Sequence, residues 1–150
     1  MKILSNSSLE TMELGRKFGM KARPGDFYIL IGDLGTGKTT FLKGFAKGLG
    51  IDSIITSPSF LIIKEYKGNY SFIHVDAYRL NSCSELLNLG WEEYLNNENI
   101  IAVEWGERIK DLWPEEYLKI SFLHKSLNSR ELHFEPKGER FKILIENLNI

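Results

Sequence analysis

A single cysteine, Cys83, occurs in the 150 residues. One thiol excludes an intramolecular disulfide and any zinc site built on several cysteines. Charge of one sign is also lacking: 19 Lys and Arg against 20 Asp and Glu leave a formal net charge of −1. That balance excludes a polycationic nucleic-acid coat and an acidic tail protein. No apolar run approaches the roughly 18 residues of a membrane span. The opening Met-Lys-Ile-Leu-Ser-Asn-Ser-Ser lacks the apolar stretch of a signal peptide. No internal repeat, linker or low-complexity tract is found. What is present is core-forming material, 43% hydrophobic and 12% aromatic residues, which argues against disorder. The expectation is one soluble domain, 1–150, in the cytoplasm, with no membrane partner.

The element pattern is that of an α/β domain. Ser7-Ser8-Leu9-Glu10 has the form of a capping box, and the apolar spacing behind it predicts a helix to about Met20. Arg23-Pro24-Gly25-Asp26 should end it. Phe27-Tyr28-Ile29-Leu30-Ile31 is apolar without alternation, as in a strand buried on both faces of a parallel sheet. Phe41, Leu42, Phe45, Ala46 and Leu49 then recur at helical spacing before Gly50. Downstream, strands are expected over 60–66, 71–75, 100–103, 118–123, 131–135 and 141–145, with short helical pieces over 84–89 and 91–96. Gly68-Asn69 marks a hairpin, so the central sheet should be mixed and partly antiparallel.

One stretch carries chemistry. Gly32-Asp33-Leu34-Gly35-Thr36-Gly37-Lys38-Thr39 satisfies G-x-x-x-x-G-K-[ST], the P-loop pattern. Glycines let successive N–H groups curl around a phosphate, and the following helix points its positive end at the same anion. Lys38 is suited to the β- and γ-phosphates and the Thr39 hydroxyl to Mg²⁺. The four fixed positions coincide by chance in on the order of one chain in a few hundred of this length. The strand before and the helix after sharpen the match. The motif implies nucleotide phosphate binding in a P-loop NTPase-like three-layer domain.

Such a site needs a carboxylate at the end of a second buried strand to hold the hydrated metal. Glu104, after Ile100-Ile101-Ala102-Val103, is the better candidate, and Asp76, after Phe72-Ile73-His74-Val75, is the rival. His74 and Asp76 lie two apart and share a strand face; a hydrogen-bonded structural pair is the favoured reading over a metal pair or proton relay. The chain contains no Asn-Lys pair and so no guanine-reading Asn-Lys-x-Asp, which favours ATP over GTP. A stand-alone kinase of a small hydroxyl compound is the alternative, although Arg16, Arg23, Arg79, Arg108, Arg130 and Arg140 are scattered rather than gathered in a clamp. Arg79 could act on phosphate in cis or dock a partner.

Five blocks in order resemble the TsaE (YjeE) family, small P-loop ATPases of tRNA threonylcarbamoyladenosine synthesis. They are the P-loop through Thr40-Phe41, Thr56-Ser57-Pro58-Ser59-Phe60, His74-Val75-Asp76-Ala77-Tyr78-Arg79-Leu80, Glu85-Leu86 with Leu89-Gly90, and Val103-Glu104-Trp105. The resemblance runs to about Arg130, with Ser129 where the family has glycine. It implies Mg²⁺-dependent ATPase activity, weak alone and stimulated by partners, with Lys38, Asp76 and Glu104 as catalytic residues. It implies nucleotide contacts from Ser8, Thr11, Asp33, Leu34, Gly35, Thr36, Gly37, Lys38, Thr39, Thr40, Trp105 and Arg130. Metal contacts are implied for Thr39, Glu104 and Asp76, and a switch-like role near the γ-phosphate for 56–59. The implied partner is a TsaB–TsaD heterodimer, which modifies the adenosine next to the anticodon. Contact with tRNA would come only through that complex, in line with the near-neutral charge.

Overall fold

The computed structural model describes residues 1–56 and 62–150. Strand β1 (Lys2–Ser5) leads into α1 (Ser8–Lys21), β2 (Phe27–Ile31) and α2 (Lys38–Gly48). The hairpin β3 (Ile63–Lys67) and β4 (Ser71–Asp76) follows, then α3 (Cys83–Leu87), α4 (Trp91–Tyr94) and β5 (Asn99–Glu104). A 3-10 segment (Gly106–Leu112), β6 (Tyr117–His124), β7 (Arg130–Lys137) and α5 (Glu139–Glu146) complete it. The expected start of the β3 strand and most of the 56–59 segment fall in 57–61, outside the described residues.

Seven strands form one sheet in the order β1-β7-β6-β2-β5-β4-β3. The inner pairs β6-β2, β2-β5 and β5-β4 are parallel. Both edges are antiparallel: β1 with β7 and β7 with β6 on one side, β3 with β4 on the other. The sheet is mixed, as expected, and lies between two helical layers. On one face, Tyr28, Leu30, Phe72, Ala102 and Ile120 pack with Phe18 of α1, Phe41 and Phe45 of α2, and Phe141 and Leu144 of α5. On the other, Ile29, Ile73, Val75, Ile101 and Val103 pack with Leu86, Trp91 and Ile109. The strand read as buried on both faces, β2, has four fully covered residues and one partly covered.

One element was not anticipated and one assignment needs correction. The opening residues form an edge strand, pairing Lys2 with His133 and Ser5 with Arg130. The strand expected over 141–145 is the helix α5: Phe141 and Leu144, three apart, bury on one face while Lys142 and Ile143 are exposed. Arg140 fastens that helix to the turn before β2, with its Nε 2.9 Å from Asp26 Oδ1 and its Nη2 2.7 Å from Oδ2. This forked pair with a buried carboxylate fixes orientation as well as charge. The capping box is present in shifted form: Ser7 accepts from the Glu10 N–H, while Glu10 reaches back to the N–H of Asn6.

The contact that matters most for the site is α1 against α2. Gly15 and Gly19 of α1 lie on the carbonyls of Phe41 and Phe45, and Gly44 and Gly48 of α2 lie on those of Met12 and Arg16. A Cβ added at any of the four would come within 3.0 Å of backbone that cannot swing aside. In an exposed helix interior Gly→Ala stabilises by about 1 kcal/mol; here the sign reverses. Gly44→Ala should destabilise by about 2 kcal/mol through overpacking, lowering Tm by roughly 4–8 °C at this chain length. Thermal unfolding followed by circular dichroism checks it.

Candidate nucleotide-binding site

Strand β2 leaves the sheet at Ile31, and α2 begins seven residues later at Lys38. Gly35 and Gly37 in the connecting loop have φ of +77° and +106°, a region that costs other residues steric strain. A Cβ at Gly37 would meet Arg130 Cδ at 3.4 Å and Thr11 Cγ2 at 3.6 Å, ordinary van der Waals contact, so it is the backbone conformation that calls for glycine there. Gly37 is the N-cap of α2 and offers no side-chain acceptor. The first N–H groups of the helix therefore want an external acceptor, and the helix dipole favours an anion in that place.

That helix start opens on a cavity of about 310 Å³. The loop and α2 supply Leu34, Gly35, Gly37, Lys38, Thr39 and Thr40. The ends of β4 and β5 supply Asp76, Tyr78, Glu104 and Trp105, while α1 and β7 supply Ser8 and Arg130. It lies at the carboxyl ends of the parallel strands, where open α/β sheets bind ligands. Of the residues expected to contact nucleotide, Thr11, Asp33 and Thr36 do not line it and instead support it. Thr36 donates to the Asp33 carbonyl at 2.7 Å. Thr11, fully buried, accepts from Arg130 Nη1 at 3.0 Å and shares a 2.7 Å hydrogen bond with Ser5.

Lys38 is 5% exposed and its ammonium is occupied. It donates to the carbonyls of Gly32 and Asp33 and sits 4.2 Å from the centroid of the Trp105 ring. Burial pushes its pKa down, against the opposing pull of Glu104, Glu107, Asp33 and Asp76. Thr39 donates to Glu104 Oε1 at 2.8 Å, and Glu104 Oε2 lies 2.7 Å from His74 Nε2. Glu104 and His74 are both buried. Asp76 stands opposite Glu104 in the β4–β5 register and accepts the Tyr78 N–H at 3.0 Å. Burial pushes its carboxyl pKa up; the Tyr78 N–H works the other way, and the Glu104 charge adds to the rise. Trp105 follows at φ +58°, a backbone region uncommon outside glycine and asparagine, and its ring meets that of Tyr78 at 4.8 Å.

Among the described residues, no group of three or more His, Cys, Asp or Glu could hold a metal ion. The donor set beside Lys38 is one hydroxyl and one buried carboxylate, with a second carboxylate adjacent. Such a set fits Mg²⁺, which keeps several waters and takes one or two carboxylates plus substrate phosphates, rather than a metal needing a full protein cage.

The family model described as "Threonylcarbamoyl adenosine biosynthesis protein TsaE" matches residues 5–132. The chain belongs to the TsaE family. A Bacillus subtilis (strain 168) protein named tRNA threonylcarbamoyladenosine biosynthesis protein TsaE is 43% identical over 141 residues, covering 93% of this chain and 88% of that one. The protein of the same name from Treponema pallidum (strain Nichols) is 36% identical over 132 residues, covering 88% and 98%. The crystal structure of Bacillus subtilis YdiB is similar with a TM-score of 0.83 at 38% identity, covering 99% of this chain and 93% of that one.

In this TsaE-family chain two features of the site escaped the sequence reading. His74 was paired with Asp76, its neighbour on one strand; its hydrogen bond instead crosses to Glu104 on the next. Tyr78 lines the cavity, whereas Arg79, the residue singled out beside it, is exposed and outside the lining. The available signal was the parallel pairing of two strands that both end in a carboxylate.

The raised Asp76 pKa has a sign that can be tested. Its ionised form is less favourable in the folded chain than in the unfolded one, so the folded state gives up stability above the folded pKa and recovers it as pH falls through that value. Asp76→Asn keeps an acceptor for the Tyr78 N–H and removes the charge. Without nucleotide it should raise Tm at pH 7, and the gain should shrink as pH is lowered. Tm measured against pH for both proteins gives the comparison; a lower Tm for Asp76→Asn at pH 7 would contradict the argument.

Proposed function

We propose that the chain is an ATP-binding and ATP-hydrolysing subunit required for threonylcarbamoyladenosine modification of tRNA. It acts in the cytoplasm with a TsaB–TsaD-like heterodimer and meets tRNA only through that complex. The observation that carries the reading is the Thr39–Glu104 hydrogen bond beside Lys38 at the start of α2, in a chain whose relatives are named for this pathway. The stand-alone kinase finds no comparable support.

The residues divide the work as follows. The open N–H groups at the start of α2 hold the phosphates. Lys38 exchanges the carbonyls of Gly32 and Asp33 for β- and γ-phosphate oxygens, replacing neutral acceptors with charged ones. Trp105, Ser8 and Arg130 bound the rest of the nucleotide. The Thr39 hydroxyl and Glu104 carboxylate would hold Mg²⁺, which when bound neutralises charge developing on the transferred phosphoryl group. Asp76 orients the attacking water. Its raised pKa makes it a better proton acceptor than an ordinary aspartate.

Phosphate release from MgATP, measured alone and with added TsaB–TsaD heterodimer, tests the reading. Turnover should be low alone, rise several-fold with the heterodimer, and fall by roughly 100-fold or more in Lys38→Ala, which removes transition-state charge stabilisation. An unchanged rate on adding the heterodimer would count against the partner. ADP formed with a phosphorylated metabolite, instead of inorganic phosphate, would restore the kinase.

A further inference from the structure

The imidazole of His74 is wholly buried on β4, one strand in from the edge of the sheet, 0% exposed, with its ring nearly parallel to that of Phe72 at 6.3 Å. An apolar ring would fill that position without the cost of desolvating two nitrogens. One of them, Nδ1, has no hydrogen-bond partner among the described residues. The other, Nε2, lies 2.7 Å from Glu104 Oε2. An ionised carboxylate can only accept, so Nε2 is the donor, and a neutral ring then leaves Nδ1 as the bare nitrogen. This tautomer leaves an unmet acceptor and avoids an orphaned buried N–H.

We infer that His74 is a positioning residue for Glu104. By holding Oε2 it turns Oε1 toward Thr39, so that hydroxyl and carboxylate face the cavity as one preset pair of metal donors. The inference rests on the ATP and Mg²⁺ reading above. The terminal torsion of a glutamate is broad and nearly two-fold. A Glu104 tied only to Thr39 could rotate about that single bond. Tied at 2.8 Å on one oxygen and 2.7 Å on the other, it has one orientation left. Partners behind a metal ligand act in this way, and their loss typically costs 10- to 100-fold in metal affinity.

Two amide variants separate positioning from simple packing. In His74→Gln the amide nitrogen reaches about as far as Nε2, and in His74→Asn it stops near Nδ1. Binding of the non-hydrolysable analogue AMP-PNP is followed by calorimetry, first in EDTA and then across a Mg²⁺ titration. All three proteins should bind the analogue similarly without metal. The Mg²⁺ concentration at half-effect should be about tenfold higher in His74→Asn and near wild type in His74→Gln. Equal midpoints in the three proteins overturn the inference while leaving the Mg²⁺ site in place. Equal losses with and without metal overturn it in favour of a packing role. Wild-type binding that ignores Mg²⁺ overturns the reading beneath it as well. If neither variant folds, two-bond ¹H–¹⁵N spectra of the wild-type imidazole decide: a proton on Nε2, retained with Mg²⁺ and AMP-PNP present, supports the inference, and a proton on Nδ1 overturns it.

Discussion

Two helices whose backbones touch set the geometry of everything at the cavity. Where side chains separate helices, interaxial distance depends on which rotamers fill the gap. Between α1 and α2 the four glycines remove that layer, and carbonyl oxygens of each helix sit where a Cβ of the other would be. The separation is then fixed by hard contact. One consequence is that Ser8 and Thr11 of α1 stand beside Gly37 and the first turn of α2 without any connecting loop of their own. Arg130, arriving from β7, is confined between them, with Gly37 on one side and the Thr11 hydroxyl on the other.

The polar side chains around Lys38 are paired within the protein, while Arg130 Nε has no hydrogen-bond partner among the described residues. Lys38 donates to carbonyls of its own loop, Thr39 to Glu104, and His74 meets the remaining Glu104 oxygen. A buried ammonium or carboxylate without such partners would be costly. In the function proposed, nucleotide binding is an exchange of partners, in which Lys38 gives up two carbonyls and gains charged oxygens. The Asp33 carbonyl then still holds the Thr36 hydroxyl and N–H as donors.

The parts of this structure that were readable from sequence are those specified locally. The strand–loop–helix unit from Phe27 to Gly48 announces itself through an apolar run, a glycine pattern and a 3.6-residue period. Glu104 was found because four apolar residues precede it. Strand β1 was not readable, because it is only four residues long with one of them buried, and its partner β7 lies at the far end of the chain. Helix α5 was misread because Phe-Lys-Ile-Leu-Ile alternates nearly as a strand does. What decides for helix there is non-local: the Arg140–Asp26 pair spans 114 residues of chain. The His74–Glu104 bond is of the same kind, since it depends on β4 lying next to β5.

The same register separates two carboxylates that sequence alone left as rivals. Asp76 and Glu104 are partners across the β4–β5 ladder, so they reach the cavity at equal height, yet their surroundings differ. Glu104 is 3% exposed with each oxygen held by a different side chain, which suits a ligand whose position must not change. Asp76 is less deeply covered, and its Oδ1 takes one backbone N–H. Burial and the neighbouring Glu104 charge both disfavour its ionised form. In the reaction proposed, that environment suits a group that takes up a proton or turns a water, while Glu104 suits the metal.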